Sequence, residues 1–125
     1  MPQAPVLLIP CYQPTHQFPK LVEQLHTGPF RAIVIIDDGS DQIHHRLFKS
    51  LDKLATIITH KENKGKGQAL KTGMAHIAQH FPGSAVVTAD ADGQHLPEDI
   101  EKAMELVFAE SWNQTKEDWE LLIRH

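Results

Sequence analysis

The stretch AIVIIDDGSD, residues 32–41, places five consecutive apolar residues directly before a polar turn sequence. A strand with one face in water alternates apolar and polar residues, and this run does not alternate. We therefore expect a strand buried on both faces, which is typical of the parallel sheets of α/β proteins. Three other short and mainly apolar runs, residues 6–9, 56–59 and 85–89, predict further strands, and Pro10 is expected to end the first.

Helical patterns of apolar residues separate these runs. The apolar side chains recur at intervals of three and four, which places them on one face of a helix. The predicted stripes are Phe18, Leu21, Val22 and Leu25; Ile43, Leu47, Leu51 and Leu54; Leu70, Met74, Ile77 and Phe81; and, after Pro97, Ile100, Ala103, Met104, Val107 and Phe108. This alternation of strands and helices predicts an α/β fold with a Rossmann-like, doubly wound and mostly parallel sheet.

Length and composition limit the classes of protein to consider. The 125 residues suit one domain, and we assign residues 1–110 to it and residues 111–125 to a helical tail whose two tryptophans pack on the sheet or contact a partner. The net charge of −4 and the scattered Lys and Arg residues argue against nucleic-acid binding. Cys11 is the single cysteine, and no apolar run suits a bilayer span or a secretory leader, so we predict a cytoplasmic protein.

Two acidic residues follow the fourth predicted strand. Residues two apart in an extended backbone point the same way, so the carboxylates of Asp90 and Asp92 can face one ligand. Two unpaired carboxylates repel each other, and a bound Mg²⁺ or Mn²⁺ would relieve that repulsion. The alternative, in which Asp90 caps a turn that Asp92 and Gly93 form, stays open on the pattern alone.

The second and third strands end in sequences that suit a nucleotide. Asp37 directly ends an apolar strand, and its carboxylate could accept hydrogen bonds from a base or ribose. The alternative is a plain Asp-Gly turn, which accounts readily for Asp38 and Gly39 but less well for Asp37. The sequence KGKG, residues 64–67, precedes a helix and suits an anion such as a phosphate, or is a solvated loop. Because the carboxyl ends of parallel strands share one edge of a sheet, we expect these strand ends to converge.

Two residue types that often carry chemistry receive no catalytic role. Cys11 lies at a strand end with no residue placed by the sequence to activate it, so we expect an inert thiol. His44 and His45 lie on a polar helical face, and we expect them to be solvated rather than to bind a metal.

Taken together, the strand ends resemble those of family 2 glycosyltransferases, the GT-A fold enzymes that use nucleotide-sugar donors. The resemblance rests on four ordered segments, LLIPCYQP, VIIDDGSD, ENKGKGQALKTGM and TADADGQHLPEDI, which run from Leu7 to about Ile100. The last segment is the most specific and is similar to the polyprenyl-phosphate, dolichyl-phosphate mannose synthase-like branch. The resemblance implies that the chain forms the nucleotide-binding half of a GT-A fold.

The resemblance also implies roles for individual residues. The predicted site residues are Pro10, Tyr12, Asp37, Lys66 and Asp90 for a nucleoside diphosphate sugar, and Asp90, Asp92 and Gln94 for Mg²⁺ or Mn²⁺. Within the D-x-D pair, Asp92 would be the principal metal ligand. Such enzymes invert the anomeric centre, because an acceptor hydroxyl that a carboxylate deprotonates displaces the nucleoside diphosphate.

The sequence departs from the family pattern at two positions and in its extent. Gln13 stands where the family usually has Asn, and Pro14 stands where the polyprenyl branch often has Glu. The acceptor-binding half has no counterpart, so we name no general base and expect a truncated enzyme or a short relative. The acceptor would be a membrane lipid or a glycan, with the chain peripheral to the inner membrane face. The alternative is a non-catalytic nucleotide-binding or assembly module that forms a homo-oligomer.

Overall fold

The computed structural model of the protein describes residues 4–91. The elements, in chain order, are β1 Val6–Cys11, α1 Phe18–His26, β2 Ala32–Asp37, a 3₁₀ segment Gln42–His44, α2 His45–Ser50, β3 Thr56–Thr59, α3 Lys66–His80 and β4 Val86–Thr88. The predicted helix after Pro97, the domain boundary at residue 110 and the helical tail lie outside the described residues.

All four described strands form one parallel sheet in the order β3-β2-β1-β4. Val6 in β1 is in register with Ala32 in β2 on one side and with Val86 in β4 on the other. The chain therefore first adds strands to one side of β1 and then returns to add β4 to the other side. The predicted α/β, doubly wound arrangement is confirmed, and the strand order reverses between β1 and β4, where such sheets bind their ligands.

Helices cover both faces of this sheet, which explains why its strands do not alternate. On one face, α1 and α2 pack over the side chains of Leu7, Ile9 and Ile35, which lie in a core cluster with Phe18 and Phe48. On the other face, α3 packs over alternate residues of the same strands; that cluster comprises Val6, Leu8, Val34, Ile36, Ala69, Ile77 and Val86. Because nearly every residue of β1 and β2 is buried against one layer or the other, almost all of their side chains are apolar.

The position of α3 depends on a glycine in its middle. Gly73 is buried, and a methyl group at this position would overlap the side chain of Leu8 in β1. Leu8 is itself completely buried, so the surrounding atoms prevent its side chain from moving aside. Gly73 thus allows α3 to lie closer to the sheet than a larger residue would permit.

Two details of the predicted elements are wrong. β1 does not end at Pro10 but continues to Cys11, which pairs with Asp37. The predicted second helical stripe also extends beyond α2 at both ends. Ile43 lies in the 3₁₀ segment and is 84% exposed, and Leu51 and Leu54 follow Ser50, the last residue of α2. Helical spacing shows which residues share a face but not where the helix begins, and here α2 begins only at His45. None of the described helices has the length and apolar character needed to cross a membrane.

Candidate functional site

A cavity of about 380 Å³ opens at the carboxyl ends of the strands, beside the point where the strand order reverses. Its lining combines the ends of β1, β2 and β4 with the first turn of α3 and the loop before it. The lining residues in the described part of the chain are Pro10, Cys11, Tyr12, Asp38, Asn63, Lys66, Ala69, Asp90 and Ala91. The predicted convergence of the strand ends on one edge is therefore confirmed.

Pro10 explains why the sheet opens at this point. Val6 and Leu8 direct their backbone groups toward the β4 side, where the Val6 N–H donates to Ala85 and the Leu8 carbonyl accepts from Ala89. Pro10 is two residues further along, so its nitrogen faces the same side, but proline has no N–H to donate. Pairing between β1 and β4 ends at Leu8, and the cavity occupies the gap beyond it.

The two aspartates at the end of β2 have different environments. Asp37 is 7% exposed, and its Oδ1 accepts a hydrogen bond from the Ser40 N–H at 3.0 Å, as an aspartate in a tight turn does. Asp38, which the sequence suggested only as part of the turn, is the aspartate that lines the cavity. Asp37 is not among the residues that line the cavity, and its predicted contact with a base or ribose stays a prediction.

The Asp38 carboxylate holds the loop between β3 and α3 against the end of β2. Its Oδ1 lies 2.7 Å from Nδ1 of His60 and accepts the backbone N–H of Lys64 at 2.9 Å. Its Oδ2 accepts the N–H of Gly65 at 2.9 Å and a longer bond from the Asn63 amide at 3.3 Å. One buried side chain therefore fixes the residues that lead into α3.

His60 extends this network into α3. Its Nε2 lies 2.9 Å from the Thr72 hydroxyl, so the imidazole connects the end of β3 with the helix on the same face of the sheet. His60 directly follows the third predicted strand, and this position at a strand end is the signal in the sequence that points to it. Asn63 and Asp38 line the cavity, and neither was assigned to the site from the sequence.

The protonation of Asp38 follows from these contacts. Burial alone would raise the pKa of its carboxyl group. The hydrogen bonds from His60 and from the two loop amides, together with the charge of His60, outweigh burial and hold the pKa below its ordinary value of 3.8. The carboxylate is therefore ionised at neutral pH, and its charge is balanced by donors in the protein.

We expect Asp38 to make the stability of the fold sensitive to acid. Because the pKa of the carboxyl is lower in the folded state, its contribution is complete above the ordinary value of 3.8 and is lost as the pH falls through the folded pKa. Urea unfolding of the wild type and of Asp38→Asn from about pH 7 to about pH 3 measures this effect. The difference in the free energy of unfolding should shrink toward low pH, and a constant difference would contradict this account.

Lys66 and Asp90 form an ion pair across the cavity mouth. Lys66 is the first residue of α3, and its Nζ lies 2.8 Å from Oδ1 of Asp90. The Lys66 side chain is 63% exposed and that of Asp90 is 28% exposed, so solvent screens the attraction. Exposed pairs of this kind contribute only about 0–1 kcal/mol to stability, and they can exchange partners readily.

The described part of the predicted metal site has suitable chemistry. Asp90 presents a carboxylate at the cavity, and oxygen ligands of this kind suit Mg²⁺ and Mn²⁺. Asp92 and Gln94, the other two predicted ligands, lie outside the described residues. Within residues 4–91, no three His, Cys, Asp or Glu side chains converge as a metal site. Asp90 would therefore hold a cation only together with ligands from elsewhere.

Cys11 and the paired histidines have the environments predicted for them. Burial, with a smaller effect of the nearby Asp37 charge, raises the pKa of the Cys11 thiol to about 12. A thiol with so high a pKa is not a nucleophile at neutral pH. His45 is exposed and His44 is partly exposed, as expected for a solvated helical surface.

Comparison with known proteins identifies relatives of the chain. The sequence profile of Glycosyl transferase family 2 matches residues 7–111. A UDP-N-acetylglucosamine–dolichyl-phosphate N-acetylglucosaminyltransferase of Methanococcus voltae is 31% identical over 120 residues, covering 84% of this chain and 47% of that protein. An uncharacterised protein of Methanocaldococcus jannaschii is 29% identical over 107 residues, covering 86% of this chain and 43% of that protein. The chain thus spans less than half the length of these relatives.

Solved structures share the fold. The crystal structure of S. aureus TarS superposes with a TM-score of 0.60 and 14% identity, covering 85% of this chain and 20% of that one. The structure of S. aureus TarS 1–349 gives the same TM-score with 16% identity, covering 86% of this chain and 33% of that one. At this level of identity the likeness concerns the fold, and it confirms the predicted fold class.

Proposed function

The chain belongs to glycosyl transferase family 2, and on that premise we propose that it binds the donor of a metal-dependent, inverting glycosyltransferase. The donor is a nucleoside diphosphate sugar. The observation that supports this proposal most directly is the cavity at the strand-order reversal, which combines an exposed aromatic ring, a lysine at a helix N-terminus and a carboxylate. These three groups suit, in turn, a base, a diphosphate and a cation.

Tyr12 is the group suited to the base. Its side chain is 52% exposed although it adjoins the buried end of β1, and it lines the cavity. An aromatic ring at a cavity rim offers a stacking surface to any nucleobase. Such a ring is costly to leave in water, and a stacked base would cover it.

Lys66 and Asp90 are the groups suited to the diphosphate and its cation. Lys66 neutralises Asp90 in the structure. A cation at Asp90 would release the ammonium group, which then faces a diphosphate beside the positive end of α3. The first turn of α3 contains no acidic side chain that would repel such an anion.

A bound Mg²⁺ or Mn²⁺ would neutralise the charge that develops on the departing nucleoside diphosphate. The side chains of this chain would orient the donor, with Tyr12 against the base and Lys66 against the diphosphate.

The relative from Methanococcus voltae bears a name that specifies dolichyl phosphate, and we extend to this chain the proposal of a lipid phosphate acceptor. A phosphate monoester is largely dianionic at neutral pH, so its oxygen could attack the sugar without a general base. Such an acceptor would place the chain at the cytoplasmic face of a membrane.

Calorimetric titration tests the donor and metal roles together. We expect UDP- or GDP-linked sugars to bind more tightly with Mn²⁺ than without it. Asp90→Asn should weaken binding in Mn²⁺ by roughly tenfold to a hundredfold, since a charged contact contributes about 1.5–3 kcal/mol. Lys66→Met should weaken binding most in Mn²⁺, where the cation holds Asp90 and leaves the ammonium group free to contact the diphosphate.

Lys71→Met is the matched control, because Lys71 is also an exposed lysine of α3 but does not line the cavity. It should leave donor affinity unchanged. The proposal would be overturned if no nucleotide sugar bound in either condition, or if Lys71→Met weakened binding as much as Lys66→Met.

The alternative, a non-catalytic nucleotide-binding or assembly module, predicts the same donor binding but no transfer. A turnover assay with a lipid phosphate, combined with a measurement of molecular mass in solution, distinguishes the two. Sugar transfer identifies an enzyme, whereas a stable homo-oligomer that binds the donor without transfer identifies a module.

A further inference from the structure

Gln13 has an unusual backbone conformation for its residue type. Its φ angle is 50°, and it is the one residue other than glycine with a positive φ in the described segment. A side chain with a β-carbon is disfavoured in this left-handed region, and glutamine lacks the local hydrogen bonds that make asparagine more tolerant of it. The conformation must therefore be held by contacts elsewhere.

Those contacts come from the loop after β2. The Gln13 N–H donates to the Ser40 hydroxyl at 2.8 Å. The Gln13 side chain donates from Nε2 to Oδ2 of Asp41 at 2.7 Å and accepts the Asp41 N–H on Oε1 at 2.8 Å. We call these three hydrogen bonds the Gln13 clamp. They join the end of β1 to the end of β2.

The clamp leaves Tyr12 between two fixed neighbours. On one side, Cys11 pairs with Asp37 in the sheet, and its carbonyl accepts the Asp38 N–H at 2.8 Å. On the other side, Gln13 is held by its clamp. The Tyr12 backbone is thus restrained at both ends while its ring is half exposed at the cavity.

We propose that Gln13 is a positioning residue, which holds the Tyr12 ring in the orientation that receives the base of the donor. This inference rests on the proposed function for the identity of the ligand, but the link between Gln13 and Tyr12 does not depend on it. A ring that is already ordered loses less conformational entropy on binding. The clamp therefore strengthens nucleotide binding without any contact between Gln13 and the nucleotide.

The choice of glutamine is consistent with this role. Asparagine tolerates a positive φ better, but its side chain is one methylene group shorter. It would not reach both the N–H and the carboxylate of Asp41 without movement of the backbone. Glutamine is therefore less favoured than asparagine at a positive φ, but its longer side chain forms two hydrogen bonds with Asp41.

Tyrosine NMR provides the test, because Tyr12 is the only tyrosine in the chain and selective ¹³C labelling reports on its ring alone. We expect Gln13→Ala and Gln13→Gly to shift or broaden the Tyr12 ring signals before any nucleotide is added. Each should weaken the binding of UDP or GDP with Mn²⁺ by up to about tenfold, the scale of the entropy cost of ordering one side chain on binding. The glycine variant relieves backbone strain, so a loss in both variants assigns the effect to the clamp.

Two substitutions of Asp41 test the same hydrogen bonds from the other side of the clamp. Asp41→Ala removes the acceptor for Gln13 Nε2 and should reproduce the effects, whereas Asp41→Asn keeps an acceptor oxygen and should retain most of the wild-type behaviour. Gln17→Ala is the control, because Gln17 is an exposed glutamine on the same loop whose side chain is not part of the clamp. It should change neither the ring signals nor the affinity.

The outcomes separate the two proposals. Unchanged Tyr12 signals in both Gln13 variants would overturn the positioning role, whatever the nucleotide affinity. Changed signals with unchanged affinity would overturn it as well. If the wild type binds no nucleotide while the Gln13 variants still alter the ring signals, the proposed function fails and the link between Gln13 and Tyr12 is supported.

Discussion

Replacing Asp38 with alanine should lower the free energy of unfolding by about 3 kcal/mol, because several hydrogen-bond donors lose the one carboxylate that they share. The carboxylate is buried, and alanine would leave the His60 imidazole and the N–H groups of Lys64 and Gly65 without their acceptor. The His60 ring is buried and the hydrogen bonds of the two amides are partly buried, so water compensates only in part for the lost acceptor. The loop before α3 should also lose its fixed position.

Urea unfolding at neutral pH measures the effect of Asp38→Ala, and donor titration measures its consequence for the cavity. Asp52→Ala is the matched control, because Asp52 is an exposed aspartate. That change should alter the free energy of unfolding by no more than about 0.5 kcal/mol. If Asp38→Ala cost as little as the control, Asp38 would not be the residue that holds the loop.

Replacing Gly39 with alanine should cost about 3 kcal/mol or more, because two penalties combine. Gly39 has a φ of 76°, which an L side chain adopts only with strain. Its added methyl group would also overlap the backbone of Glu62 and Asn63, and a backbone cannot turn aside as the end of a side chain can. The loops after β2 and β3 would have to separate, which disturbs the cavity wall at Asp38 and Asn63.

Gly83→Ala is a close control for this experiment. Gly83 has a φ of 78°, nearly the same as Gly39, but a methyl group there meets nothing within 4 Å. Its substitution should cost only the backbone strain, about 1–2 kcal/mol. The difference between the two variants in urea unfolding isolates the overlap between the loops. Equal losses of unfolding free energy in the two variants would show that overlap between the loops contributes nothing to the cost of Gly39→Ala.

The sequence predicted the fold well because the relevant signals are local. The unbroken apolar run of β2 indicated a strand buried on both faces, and the sheet is parallel with helices on both faces. The predicted end of β1 at Pro10 was wrong, because the strand continues through the proline to Cys11. Pro10 lacks a hydrogen-bond donor, which is tolerated inside β1 because its nitrogen faces the side where β4 no longer pairs.

The site could be predicted in position but only partly in its residues. Strand ends of a parallel sheet converge by topology, so Pro10, Tyr12, Lys66 and Asp90 were expected together, and all four line the cavity. Asp37 and Asp38 could not be told apart from the sequence. Backbone angles decide which of the two adjacent aspartates closes the turn and which reaches the next loop. A pattern of residue types does not specify those angles.

The sequence by itself therefore determined the order of strands and helices, the burial of the sheet on both faces and the edge at which the strand ends converge. Each of these follows from residue type and spacing along a short segment. Only the tertiary structure decided that Asp38 holds the loop before α3 through His60, and that Gln13 clamps the end of β1 to Asp41. Those contacts join residues 22 and 28 positions apart in the chain, and they depend on distances and directions that exist only once the sheet has assembled.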